Sequence, residues 1–73
     1  MDYTNHHQMI LDYIRINGSI IAADAVKDLG IMGLSSRIAE LKKAGYHIIT
    51  KTEKGKNRYG KTVWYSRYFL DGE

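Results

Sequence analysis

Between Lys42 and Arg67 the chain gathers Lys42, Lys43, Lys51, Lys54, Lys56, Arg58, Lys61 and Arg67 against a single carboxylate, Glu53, and sets Tyr46, Tyr59, Trp64 and Tyr65 among them. The chemistry open to such a stretch is recognition of a polyanion, in which cationic side chains displace counterions from phosphates and rings offer faces to bases. Residues 1 to 41 carry the opposite bias. There Arg15, Lys27 and Arg37 stand against Asp2, Asp12, Asp24, Asp28 and Glu40, so the net charge of +3 conceals an acidic part and a basic part. Covalent chemistry has no comparable footing. The chain has no cysteine, no glycine-rich phosphate loop ahead of a helix, and no carboxylate pair at helical spacing in an apolar setting. His6 and His7 are adjacent and point about 100° apart on a helix, and His47 adds no ligand set. No catalytic residue, metal site or cofactor is therefore assigned, and the chain is not expected to be an enzyme.

A length of 73 residues with 44% hydrophobic content calls for one domain, residues 1–73, holding itself together with a small core and no disulfide. No run approaches the roughly eighteen apolar residues of a membrane helix, and MDYTNHHQM lacks the basic-then-apolar order of a secretory signal. A cytoplasmic protein without a membrane partner is the expectation.

The first half is helical in pattern. Thr4 or Asn5 can cap a helix start, Gln8 follows Asn5 at capping-box distance, and Met9, Ile10, Tyr13 and Ile14 recur at helical spacing, which predicts a helix over about residues 5–17. Ser19-Ile20-Ile21 is too short and apolar to stand alone and suits a short third strand. Ala22 to Leu29 predicts a second helix closed by Gly30, although Ile21 has no side-chain oxygen with which to cap it. Gly30-Ile31-Met32-Gly33 is a tight connector. Leu34, Ile38 and Leu41 then share one face of a third helix, 33–44, leaving Ser36, Ala39 and Lys43 on the opposite face.

After Gly45 the period changes. Tyr46 to Thr52 and Thr62 to Leu70 are rich in β-branched and aromatic residues, and the glycines and asparagine between Lys54 and Gly60 predict a hairpin with a long, basic, flexible loop, 54–61. Helix, short strand, helix, turn, helix, strand, loop, strand is the order of an α+β winged helix-turn-helix with a C-terminal hairpin wing. The segments ILDYIRINGSI, AADAVKDLGI, LSSRIAELKKAGYHIIT and WYSRYFL, spanning about residues 9 to 70, resemble the small helix-turn-helix proteins common in bacteriophage genomes. Asp24-Ala25 through Leu29-Gly30-Ile31, Arg37-Ile38 with Leu41, and Gly45-Tyr46 carry the resemblance most strongly. Members often have Thr where Ile21 stands and a basic residue near Gly33. The resemblance implies a DNA-binding winged helix, phage-encoded, acting in the cytoplasm of a bacterial host, with transcription regulation as a natural role.

The binding residues follow from these faces. Ser35 and Ser36 are small hydroxyl residues that let a helix approach a major groove, with Lys42 and Lys43 at its end for phosphates. Arg37 is either a phosphate contact or a structural partner of Asp24 or Asp28. Lys54, Lys56, Asn57, Arg58, Tyr59 and Lys61 form the loop strip for a phosphate backbone or minor groove. Duplex DNA is the expected partner, and single-stranded nucleic acid and a homodimer stay open. Trp64, Tyr65, Tyr68, Phe69 and Tyr46 can serve as a stacking platform, but strand alternation leaves neither face wholly aromatic, and a small domain needs large residues inside. Most of these rings are assigned to the core, Trp64→Ala is expected to unfold the domain, and Tyr59 is the ring expected at the surface. The rival from another class is a protein–protein interaction module that uses the acidic face of residues 1 to 41.

Overall fold

The computed structural model describes residues 6–72. Its elements are α1 (His6–Asn17), β1 (Ile20–Ile21), a second helix α2 made of an α-helical turn (Ala22–Asp24) running into a π-helical stretch (Ala25–Leu29), α3 (Leu34–Lys43), β2 (Ile48–Lys56) and β3 (Thr62–Leu70). The fold is α+β, with three helices and an antiparallel sheet in the order β1-β3-β2. The capping expected from Thr4 or Asn5 lies outside the described residues.

Ile10, Leu11 and Ile14 of α1 meet Leu34, Ile38 and Leu41 of α3 in one core, which Ile20, Ala25, Ile31, Ile48 and Tyr68 complete. This is the helical spacing read from sequence, converted into burial that stabilises by ~1.5–3 kcal/mol for each large aliphatic side chain. The α2 start is capped in an unexpected way: Ile21 offers no oxygen, yet its backbone N–H donates to the Asp24 carboxylate at 3.1 Å, half of a capping box running backward from the third helical residue. Gly30 closes α2 in the left-handed conformation (φ 67°), and the Ile31 N–H reaches back to the Ala25 carbonyl at 2.9 Å while its side chain enters the core. Short β1 pairs Ile20 with Tyr68 and Ile21 with Arg67, confirming the third strand suggested by its sequence.

The hairpin departs from expectation. β2 begins at Ile48 rather than Tyr46 and runs on to Lys56, so Lys54, Gly55 and Lys56 are strand residues paired with Trp64, Val63 and Thr62. Only residues 57–61 turn. The long flexible loop is thus a rigid ladder with a tight tip, where the Asn57 side-chain oxygen accepts from the N–H groups of Tyr59 (2.9 Å) and Lys61 (3.1 Å). Gly55, which suggested a loop, makes room instead: a β-carbon there would lie 3.2 Å from the Tyr65 ring.

Trp64 is the second correction. It is 67% exposed, whereas Tyr68 on the same side of β3 is buried. Alternation was the right rule, but the sheet outgrows the helices that cover it. The two rings are four positions apart, about 13 Å along a strand, and by Trp64 the hairpin has passed the helical body in a molecule whose longest extent is 41 Å. Tyr65 and Phe69 are half-buried on the other face, Tyr46 is 39% exposed, and Tyr59 at the tip is 79% exposed.

Candidate nucleic-acid interface

The exposed face of α3 is the one expected. Leu34, Ile38 and Leu41 are buried, and Ser35, Ser36, Ala39, Lys42 and Lys43 face solvent. Their small side chains leave this side low, so a groove edge can come close to the helix. Gly33, at φ 69°, opens α3 without a side-chain cap. Arg37 pairs with neither Asp24 nor Asp28. Its Nε lies 3.4 Å from Glu40 Oε1 one turn along the same helix, and Glu40 also meets His7 Nε2 of α1 at 2.6 Å. Asp24 and Asp28 are otherwise engaged: Asp24 caps α2, and Asp28 accepts from the Tyr13 hydroxyl at 2.6 Å. That hydrogen bond, aided by desolvation and the nearby carboxylate charges, pushes the Tyr13 pKa up to about 12.

The sheet sorts the basic residues onto two faces. On the outer face Lys51 lies over the Phe69 ring at 5.4 Å, and Arg67 donates through Nε to Glu53 at 2.9 Å and through its Nη1 to the Ser19 hydroxyl at 3.0 Å. The guanidinium hydrogen bond and charge hold the Glu53 carboxyl below the usual carboxylate range against opposing desolvation. Lys51 therefore serves the hairpin itself, and Arg67 both braces the hairpin and ties it to the segment ahead of β1. Among the described residues, besides Lys27 of α2, the cations outside these outer-face pairs and outside the helix pairs of Arg15 and Arg37 are those of the α3 end, the inner hairpin face and the tip.

These are joined. Lys42 Nζ donates to the Thr50 hydroxyl at 3.3 Å, tying the last turn of α3 to the inner face of β2. By strand alternation Thr52, Lys54 and Lys56 project from that same face, with Ser66, Trp64 and Thr62 opposite them on β3. Lys54, Lys56 and Thr62, with the Gly55 backbone, line a hollow there. Arg58, Tyr59 and Lys61 continue the strip around the exposed tip. Asn57 belongs to the turn, its side-chain oxygen being occupied by two backbone donors. Of the residues proposed from sequence, Ser35, Ser36, Lys42, Lys43, Lys54, Lys56, Arg58, Tyr59 and Lys61 are exposed on α3, the inner hairpin face and the tip; Thr50 and Thr52, which the sequence reading did not name, share the inner face, as does Trp64, which it assigned to the core. The ladder register would have revealed them: nine-residue strands on either side of a short turn carry alternate residues onto the face that continues from Lys42.

Three helices, with the second and third joined by a short turn, followed by a hairpin that flanks the third, define the class of helix-turn-helix proteins with a wing. The chain belongs to the winged helix-turn-helix domain family, whose profile matches residues 5–73. Comparison with curated proteins gives no match. Membership in this family suggests DNA binding. No helix among the described residues is long and apolar enough to cross a membrane.

Proposed function

We propose that residues 1–73 act as one domain that binds duplex DNA, with α3 lying in the major groove and the hairpin along the adjoining backbone. The observation that supports this most is the hydrogen bond from Lys42 to Thr50, because it makes the exposed face of α3 and the inner hairpin face one continuous basic surface. In this reading Ser35 and Ser36 meet base edges, Arg37 is available to a phosphate if it leaves Glu40, and Lys54, Lys56, Arg58 and Lys61 together with Lys42 or Lys43 neutralise phosphates. The resemblance to phage helix-turn-helix proteins supports a phage-encoded transcription regulator working in the cytoplasm of a bacterial host.

Counterion release makes the reading quantitative. Contact with about five phosphates gives a log affinity that falls with log salt at a slope of roughly −4 to −5. Fluorescence anisotropy titrations at several salt concentrations should show this slope, and Lys56→Ala with Arg58→Ala should reduce it by about two units on all sequences alike. Changing Ser35 or Ser36 should alter sequence preference and leave the slope nearly constant. An unaltered slope in the Lys56, Arg58 variant would remove the hairpin from the DNA and favour the protein-partner reading.

A further inference from the structure

Trp64 is unexplained by the fold. Its neighbours on the inner hairpin face are Thr62 and Ser66 along β3 and Lys54 directly across on β2, with Thr52 and Lys56 diagonal to it. None is apolar, so the indole at 67% exposure contributes little to a core. Lys54 Nζ sits 6.0 Å from the ring centroid. A large ring among ammonium and hydroxyl groups is poorly matched to a protein interface, whose centre is depleted of lysine. It matches a partner that carries both negative charge and flat aromatic faces.

We propose that Trp64, flanked by Lys54 and Lys56, is a stacking site for an unpaired or terminal base at an end of paired DNA. The proposal rests on the duplex-binding reading above and adds the kind of DNA structure engaged. Its physical core is simple. Inside an intact duplex both faces of every base are covered by neighbours, so an indole stacks without prising a base step apart only where pairing stops. The geometry allows both contacts at once, since Trp64 lies across from Lys54, four residues beyond the Thr50 that Lys42 holds, or about 13 Å further out along the strand. A duplex on α3 that ends about this far out meets the ring with its terminal base, and the Lys54 and Lys56 ammonium groups beside it meet the phosphates of the emerging strand.

Trp64 is the only tryptophan among 73 residues, so red-edge excitation reports on it without the six tyrosines. The probes are a duplex bearing a single-stranded tail and a long linear duplex in which ends are scarce, each brought to saturation. The tailed duplex should quench Trp64 strongly and bind about tenfold tighter per site, the lower part of the range that stacking one base supports. The long duplex should leave the emission nearly unchanged. Trp64→Ala should abolish the preference for the tailed duplex while keeping affinity for the long one, and Trp64→Phe should restore part of it. Equal quenching by both DNAs, or equal weakening of both by Trp64→Ala, overturns the stacking site and leaves duplex binding standing. A blue shift that grows with protein concentration alone also overturns it, by placing the ring in a protein–protein contact. Absence of salt-dependent binding to either DNA instead sinks the duplex-binding reading on which the site depends.

Discussion

The helical body and the hairpin of this molecule are held by different forces. In the body, side chains from Ile10 to Leu41 fill a common core, and the hairpin adds to it Ile48 and Tyr68 near its base, with half-buried Leu70 packed against them. Beyond that base the hairpin is a backbone ladder reinforced by cross-strand pairs: Glu53 with Arg67 and Lys51 with Phe69 outside, Lys54 with Trp64 inside. Pairs within reach of solvent are screened by water, so each adds little beside the buried core. Apolar burial has been concentrated where the chain must be rigid, and the far hairpin is left to present charge.

The sharpest way to break this contrast is Ile38→Ala. Ile38 is among the most deeply buried side chains and stands in the helix that carries the exposed serine face. Truncating it should cost about 2–5 kcal/mol, a large part of the ~5–15 kcal/mol available to a domain, and a urea titration reads the loss directly. A cost below about 1 kcal/mol would mean that the core is not where stability resides.

Two glycines sharpen the comparison at smaller cost. Gly30→Ala meets open space but must hold a left-handed backbone, and should lose about 1–2 kcal/mol. Gly55→Ala has an ordinary backbone and loses only what the Tyr65 ring must give to clear 3.2 Å. Thermal melts of the two variants should rank Gly30→Ala as the worse. The reverse order would show the Tyr65 ring to be locked, and the hairpin stiffer than its surface pairs imply.

The two regions should also fail at opposite ends of the pH scale. Tyr13 in the body has a raised pKa, so its bond to Asp28 contributes fully below the ordinary tyrosine value and is lost as pH climbs through about 12. Glu53 in the hairpin has a lowered pKa, so its bond from Arg67 contributes fully above the ordinary carboxylate value and is lost as pH falls through the lowered one. Tyr13→Phe should therefore differ from the parent least in strong alkali, and Glu53→Gln least in acid. Stability measured against pH for both variants tests the signs, and a constant Glu53→Gln difference across the acid range would detach the carboxylate from folding.

The body was legible in the sequence because a period of 3.6 residues with glycine punctuation has few readings. Leu34, Ile38 and Leu41 predicted both the buried face and, by opposition, the exposed one. The hairpin was legible in kind and less so in extent. Lys54, Gly55 and Lys56 have weak strand propensity by themselves, and it is pairing with Trp64, Val63 and Thr62 that holds them extended, a long-range term that a local reading lacks. Alternation likewise put Trp64 on the correct side of β3 without disclosing that the helices end before reaching it. Of the two readings of Arg37, only the pairing with an aspartate fails, for a similar reason: its partner, Glu40, is a helix neighbour, while Asp28 and Asp24 are taken by Tyr13 and by the α2 backbone.

The smallest expected effect falls on the largest side chain. If the far hairpin owes nothing to burial, Trp64→Ala should lose only the contact with Lys54 and a little strand preference, together about 1 kcal/mol or less. For a domain of this size that is a shift of no more than about 4–8 °C in Tm, against the near-complete loss of structure expected were the ring in the core. Circular dichroism melts of Trp64→Ala beside Ile38→Ala give the comparison in one experiment. The Trp64→Ala melt should stay cooperative and close to the parent, with the far-ultraviolet spectrum retained. An unfolded Trp64→Ala would return the indole to the core and erase the division between a packed body and a surface-held hairpin, whereas a folded one shows that the far hairpin holds without burying its largest ring.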